Sequence, residues 1–545
     1  PVADPVPARI RRHRDVIDRS AALGAIHFPE TLAEARTARK RLVFDEFFRI
    51  ELSLALAKRQ KAESAVGVAH HGDGSLVEAF VGALGFPLTG AQQRVIAEIT
   101  EDMARTHPMH RLLQGEVGSG KTVVAVAGLL VAVEDGHQGA VMAPTEVLAT
   151  QHFLGITDLL ERAGLAPAES DGSGTGSLFA SGSDAPTVSE ALLTGNQSLC
   201  TAAPDIDRAG LLAMIADGSV DIVIGTHALI QEGVAFSALS MAVVDEQHRF
   251  GVGQRVALKE QAGAVEPDQL IMTATPIPRT LSMTLYGDLD VSLLDEMPTG
   301  RTPTTTEAVP PTELDPVWDR VRTEAAAGRQ VFVVCPLVEE SSKVEAASAT
   351  DWQARLSGLF PDLTVGLIHG QLRPDEKSGA MEAMRAGAVD VLVATTVIEV
   401  GIDIPNATLM VILDADRFGL SQLHQLRGRV GRGAHAGHCV LVADPTTEDG
   451  EARVAAMVET TDGFVLAERD LEIRGQGSVF GERQSGRGDL RLGDILRDTD
   501  LLVGAREDAF ALVDVDPRLA EHPELAEELT AFFPDAEVVD YLFKS

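Results

Sequence analysis

The sequence predicts an α/β protein: two successive units, each a parallel sheet covered by helices, with a helical segment before them and a mostly helical region after. Three observations carry this reading. From about residue 86 to 300, short runs rich in Val, Ile, Leu and Met each end in a polar or Gly-containing turn, often followed by a helical stretch. Buried parallel strands with functional groups at their carboxyl ends have this pattern. The same rhythm restarts after the turn-rich segment 299–311 and runs to about residue 444. Finally, at about 150 residues per domain, a chain of 545 residues has room for three or four domains.

Taken in order, residues 1–85 read as an N-terminal helical segment. From Thr31 to Lys61 there is no Gly or Pro, and the apolar spacing suits one long amphipathic helix. The basic start at Arg9, Arg11, Arg12 and Arg14 reads as a solvated helix face. Residues 86–300 form the first α/β domain, with strands expected within 139–144, 220–226, 240–246 and 270–275. A Gly/Ser-rich stretch at 169–186 interrupts it as a surface insertion. Residues 301–460 form the second, with strands within 330–336, 364–370, 389–396, 407–413 and 437–443. Residues 461–545 are largely helical, broken by a Gly/Arg-rich interruption at 474–488.

Composition removes several classes. Hydrophobic residues make up 45% and charged residues 23%, the balance of a globular chain able to bury large cores. No apolar run approaches the roughly 18 residues of a membrane span, and the N-terminus lacks the apolar core of a signal peptide. Cys200, Cys335 and Cys439 stand apart without CxxC spacing, which excludes a disulfide framework or zinc cluster and fits a reducing, cytoplasmic setting with no membrane partner. A chain that opens on Pro1 reads as a fragment. Lys and Arg number 46 against 81 Asp and Glu, so the net charge is 46 − 81 = −35. That charge disfavours long-range attraction to a polyanion, but nucleic-acid binding requires only a local basic or amide-lined track.

The chemistry begins at Gly115-Glu-Val-Gly118-Ser119-Gly120-Lys121-Thr122, which fits the phosphate-loop pattern G-x-x-x-x-G-K-[ST] between an apolar run and a helix-forming stretch. The amides of such a loop cradle phosphate at a helix N-terminus, the Lys121 ammonium pairs with the β- and γ-phosphates, and the Thr122 hydroxyl ligates Mg²⁺. ATP with Mg²⁺ is the expected pair. Downstream, the strand leading to Asp245-Glu246-Gln247-His248 delivers two carboxylates: Asp245 to hold the metal, and Glu246 to orient or deprotonate water for hydrolysis. His248 is placed to link that site to a neighbouring motif.

With these residues in view, the chain resembles the superfamily 2 helicases, whose ordered motifs match Ala143-Pro-Thr145-Glu, Gly225-Thr226-His227, residues 245–248 and Thr273-Ala-Thr275-Pro. The second unit continues the match with residues 395–403, which include Gly401 and Asp403, and with Gln425-Leu-Arg-Gly-Arg429-Val-Gly-Arg432. The resemblance implies two tandem RecA-like parallel-sheet domains. It assigns Phe86 and Gln92 to adenine, Gly401 and Asp403 to nucleotide, and Thr273, Thr275 and His248 to coupling. Thr145, Thr226 and His227 are assigned to DNA. It makes Gln425, Arg429 and Arg432 a catalytic set delivered across a cleft, where an arginine stabilises charge on the γ-phosphoryl.

The tail narrows the resemblance. Asp462-Gly-Phe464, residues 467–477 and Gly481-Glu-Arg-Gln484-Ser-Gly resemble the translocation motif shared by the RecG branched-DNA helicases and the transcription-repair coupling factors. Residues 494–502, with 26–29 and 41–46, resemble RecG alone. That likeness implies an ATP-dependent translocase that remodels stalled replication forks and Holliday junctions. Arg474 and Gln484 then lie in the element that converts cleft movement into duplex movement. A single-strand-binding protein is an implied partner, and a monomer is the expected state. No turn-dense all-β region precedes residue 85, so the expectation is a motor without the family's fork-splitting wedge, which would hydrolyse ATP on DNA yet discriminate poorly between forks and linear duplex. The alternatives are another superfamily 2 motor, such as a transcription-repair coupling factor, or a DNA-binding scaffold gated by nucleotide without hydrolysis.

Overall fold

The computed structural model describes residues 4–167, 187–231, 233–246, 265–274, 289–298, 303–336, 342–395, 404–474, 491–494 and 497–532. These divide into two compact units. One is largely helical and drawn from residues within 1–66, 277–291 and 474–545; the larger lies within 67–276 and 292–473.

The helical unit opens with α1 (Ala8–His13), α2 (Arg19–His27) and α3 (Leu32–Ser64). The long helix is the one expected from the absence of Gly and Pro after Thr31. The Thr31 hydroxyl caps it by accepting from the Glu34 N–H at 3.1 Å. Phe44, Phe47, Phe48, Leu52 and Ala55 recur at helical spacing and are all buried, which gives α3 one packed face.

The larger unit begins with α4 (Ser75–Ala83) and α5 (Gly90–Met103). Its first sheet is built from β1 (His110–Gly115), α6 (Lys121–Glu134), β2 (Gln138–Met142), α7 (Glu146–Arg162), β3 (Glu190–Leu193), β4 (Ser198–Cys200), α8 (Arg208–Asp217), β5 (Ile222–Gly225), β6 (Leu239–Asp245), β7 (Asp268–Thr273) and β8 (Asp290–Leu294). The strand order is β4-β3-β5-β2-β6-β7-β1-β8. Pairings from β3 through β1 are parallel, and β3 with β4 is antiparallel. β2, β5 and β6 are buried along their whole length, because helices cover both faces of the parallel core.

The second sheet comprises β9 (Thr305–Val309), α9 (Asp315–Ala326), β10 (Gln330–Val334), α10 (Ser342–Leu359), β11 (Val365–Ile368), α11 (Pro374–Arg385), β12 (Val391–Ala394), β13 (Ala407–Ile412), α12 (Leu420–Arg427) and β14 (His438–Val442). Its order is β11-β12-β10-β13-β14-β9, with every pairing parallel. β9 falls inside the segment read as a turn. Its Thr and Val side chains suit a strand, and it adds to the sheet edge with Thr306 opposite Cys439, leaving much of its surface exposed.

The chain then forms α13 (Glu448–Glu459) and α14 (Gly463–Arg474), and returns to the helical unit with α15 (Thr499–Val515) and α16 (Pro523–Phe532). Charge pairs join the two ends of the sequence there. Arg39 grips Asp498 through two bonds of 2.7 Å, Arg506 reaches Glu51 at 2.9 Å, and Arg19 and Arg49 both bond Glu528. The three cysteines are buried free thiols. No helix among the described residues is long and apolar enough to cross a membrane.

Candidate nucleotide site

The parallel register sets the site. Asp245 pairs with Met272 and Gln114 with Thr273, so the ends of β1, β6 and β7 converge on one edge of the first sheet. Between β1 and α6 the chain turns through Gly118 and Gly120, whose φ angles are +85° and +87°, a left-handed region that disfavours side chains. A Cβ at Gly120 would overlap the Gln92 amide, and one at Gly115 would crowd Ser119. Ser119 is fully buried, and its hydroxyl finds no partner among the described residues. Lys121 at the start of α6 donates to the carbonyls of Gly115 at 2.8 Å and Glu116 at 3.0 Å.

Gln92 supports this loop from beneath. Its Nε2 donates to the Ser119 carbonyl at 2.8 Å, and its Oε1 accepts from the Thr89 N–H at 2.9 Å in the cap of α5. The residue is 1% exposed. The bond to Ser119 ties the start of α5 to the phosphate loop, a linkage that motif spacing does not reveal. Phe86, by contrast, is exposed.

β6 ends at Asp245, and Glu246 follows with a φ of +54°. A non-glycine residue held there carries backbone strain of a kind that concentrates at functional sites. Its N–H donates to the Met272 carbonyl at 3.0 Å, which fixes the turn. Asp245 Oδ2 lies 2.8 Å from His152 Nε2 on α7. Burial favours the protonated acid, but the bond to His152, that ring's charge and the Lys121 ammonium outweigh it, so the Asp245 carboxyl lies below its usual range. Glu246 shifts the other way, raised by burial and then by the adjacent Asp245 charge. The two carboxyls are therefore shifted in opposite directions, the split that suits one for holding a metal and the other for orienting water.

The facing wall comes from the second sheet. α12 supplies Gln425, and the following turn supplies Arg429 and Arg432, with Arg432 Nε donating to the Gly428 carbonyl at 2.9 Å. Gly431 has a φ of +71° and packs against the Gly437 backbone, so this tight turn leaves no room for a side chain. Lys121, Thr122, Asp245, Glu246, Gln425, Arg429, Arg432 and His152 line one cleft of about 690 Å³. Lys121 registers them electrostatically. Burial pushes its ammonium down to about 8, Asp245 and Glu246 oppose that shift, and Arg429 and Arg432 add to it.

Other expected residues sit elsewhere. Thr145 caps α7, accepting from the Leu148 N–H at 3.3 Å, and Thr226 precedes a short 3-10 turn that begins at His227. Both threonines follow strands of the first sheet, at the same edge as the phosphate loop but outside the cleft lining. Thr273 is buried at the end of β7. Gly401, Asp403, His248, Thr275, Gln484, the Arg474 side chain and the 169–186 insertion lie outside the described residues. Two residues escaped the sequence reading, His152 and Glu116. The first is one helical turn beyond the buried Leu148, a spacing that points it at the sheet.

Comparison with known proteins fits this geometry. Residues 89–181 and 187–284 match the DEAD/DEAH box helicase family, and residues 315–434 match the helicase conserved C-terminal domain. Residues 460–529 match the C-terminal part of domain 3 of the ATP-dependent DNA helicase RecG. The chain is 45% identical over 524 residues to the RecG of Bacillus subtilis, covering 96% of this chain and 72% of that protein. It is 44% identical over 528 residues to the RecG of Synechocystis, covering 96% of this chain and 59% of the relative. A solved structure of RecG bound to a three-way DNA junction superposes with a TM-score of 0.68 at 38% identity, over 92% of this chain and 62% of the other. The DEAD-box helicase Mss116, at 16% identity and a TM-score of 0.52, shares the fold. The chain belongs to the RecG family.

Proposed function

We propose that the chain is the ATP-driven motor of a double-stranded DNA translocase that remodels branched DNA, such as stalled replication forks and Holliday junctions, in recombination and repair. The observation that carries this is the single cleft in which Lys121, Asp245 and Glu246 face Gln425, Arg429 and Arg432. The loop that turns through left-handed Gly118 and Gly120 and lines the cleft with Val117, Gly118, Lys121 and Thr122 fits a polyphosphate. In this reading Gly115, Gly118, Ser119 and Gly120 shape the loop whose amides bind the β- and γ-phosphates, and Lys121 neutralises them. Thr122 and Asp245 would hold Mg²⁺, which screens phosphate charge when bound. Two such groups suffice, since magnesium keeps phosphate and water among its ligands. Glu246 orients the attacking water. Gln425, Arg429 and Arg432 act together from the facing wall, the arginines stabilising charge on the γ-phosphoryl, so turnover requires both walls of the cleft.

Phe86 and Gln92 are proposed at the adenine, although Gln92 would have to share an amide already bonded to the loop. Gly401 and Asp403 complete the nucleotide site, and Thr273, Thr275 and His248 relay its state. Thr145, Thr226 and His227 contact DNA, with Arg474 and Gln484 in the element that moves it. The working division is 86–300 and 301–460 for the two motor domains, flanked by 1–85 and 461–545. A cytoplasmic monomer acting alongside a single-strand-binding protein is the setting proposed.

Displacement of a triplex-forming strand from duplex DNA tests the function. The chain should displace it with ATP, and Glu246→Gln should bind nucleotide yet fail. ATP-independent displacement, or normal displacement by Glu246→Gln, would remove the proposal.

A further inference from the structure

Glu116, the second residue of the phosphate loop, is joined to a residue 347 positions away: its Oε1 accepts from the Gly463 N–H at 2.6 Å. Gly463 is the first residue of α14. That end of the helix is therefore held by two carboxylates. Asp462 accepts from the N–H groups of Phe464 and Val465 at 2.8 and 3.2 Å, and Glu116 accepts from the Gly463 N–H from outside the helix. Both negative charges sit where the helix dipole favours them.

The chain just before α14 is gripped from the other wall. Arg427, two residues before Arg429, is buried and donates to the carbonyls of Met457 at 3.0 Å, Thr460 at 2.8 Å and Thr461 at 3.0 Å. Residues 457–463 are thus fastened to the arginine-bearing wall at one end and to the phosphate loop at the other.

We propose that Glu116 is a positioning residue that reports the state of the phosphate loop to α14, and so links nucleotide binding to the DNA-moving segment that follows. The inference rests on the motor function proposed above. Two features of Glu116 support it. Its carbonyl accepts from Lys121, so an arriving phosphate that draws the ammonium away loosens the loop at this residue. Its carboxylate charge also acts on the Arg427 guanidinium, which grips the chain just before α14. α14 then acts as a rigid arm: its 12 residues span about 18 Å at 1.5 Å each.

Gly463→Pro is the direct test, because Pro suits the first helical position and has no N–H to donate to Glu116. With the full chain, DNA-stimulated ATP hydrolysis should stay within about twofold of wild type. Base pairs moved per ATP should fall about tenfold, the scale set by losing one hydrogen bond to a charged group. Glu116→Gln, whose amide oxygen accepts the same bond, should keep most of the coupling. Glu116→Ala with Gly463→Pro should be no worse coupled than either change alone. Amide hydrogen exchange gives a second reading without turnover: Glu116→Ala should speed exchange at residues 463–466. Unchanged coupling in Gly463→Pro, proportional loss of hydrolysis and movement, or additive losses in the double variant would each overturn the proposal. A wild-type chain that hydrolyses no ATP on DNA would instead remove the underlying motor function.

Discussion

At the scale of single residues, the site is a problem of buried charge. In its proposed role Lys121 must be protonated to meet phosphate, yet burial pushes it down to about 8 from 10.5. Between those values the folded chain holds fewer protons at this group than the unfolded chain. Its contribution to stability therefore rises with pH while the fraction able to bind phosphate falls. Apparent ATP affinity should weaken above pH 8, by up to about tenfold per pH unit. Arg432→Ala removes a like charge and should move that midpoint upward; a fluorescent nucleotide titrated from pH 7 to 9.5 would show both effects. Lys121→Ala should cut DNA-stimulated hydrolysis by at least about 10²-fold, as expected when a preorganised charge on the transferring group is lost. If Asp245 holds Mg²⁺ as proposed, His152 acts through its 2.8 Å contact with that carboxylate. Deleting the partner that orients a metal-binding carboxylate typically costs about 10- to 100-fold, so His152→Ala should lose that much hydrolysis and need more Mg²⁺. Restoration by high Mg²⁺ distinguishes this role from simple misfolding.

At the scale of elements, pattern and packing part company. The buried strands were legible because parallel sheets covered on both faces require continuous apolar runs, and β2, β5, β6, β10 and β13 have them. The edge strand β9 was hidden by the prolines at 303 and 310–311, since an exposed five-residue edge needs no apolar core. The length of α3 was legible as well, but its partner was not. Periodicity shows that a helix has a buried face without showing that Glu51 meets Arg506, 455 positions later. Burial raises Glu51 to about 7, with Arg506 pulling it back. Because the folded value lies above the unfolded 4.5, this group's stabilising contribution is present at low pH and is lost as pH rises through 7. Arg506→Ala leaves that carboxylate buried without its partner and should destabilise the helical unit by roughly 3–5 kcal/mol, more at pH 8 than at pH 5. Urea unfolding at the two pH values measures it, and equal losses at both would refute the charge argument.

At the scale of the whole molecule, the legible part of the proposed site was the part fixed at short spacing, the phosphate loop, the paired carboxylates and the arginine turn, whose residues share one cleft. What the sequence concealed were contacts between distant segments, Gln92 under Ser119, His152 on Asp245 and Glu116 on Gly463, because no local pattern records which loops meet. Net charge misleads at this scale too. At −35 the chain repels DNA at long range, so binding must come from short-range contacts and should be strongly salt-dependent. Comparing affinity for a fork and a length-matched linear duplex at one fixed salt concentration shows how much branch recognition these 545 residues carry. The central claim, that one cleft hydrolyses ATP in service of DNA movement, is tested most directly by steady-state ATP hydrolysis with and without forked duplex, for the wild-type chain and for Arg432→Ala. The account predicts strong stimulation by DNA in the wild type and a loss of about 10³-fold or more in the variant. Hydrolysis that ignores DNA, or a variant that matches the wild type, would contradict it.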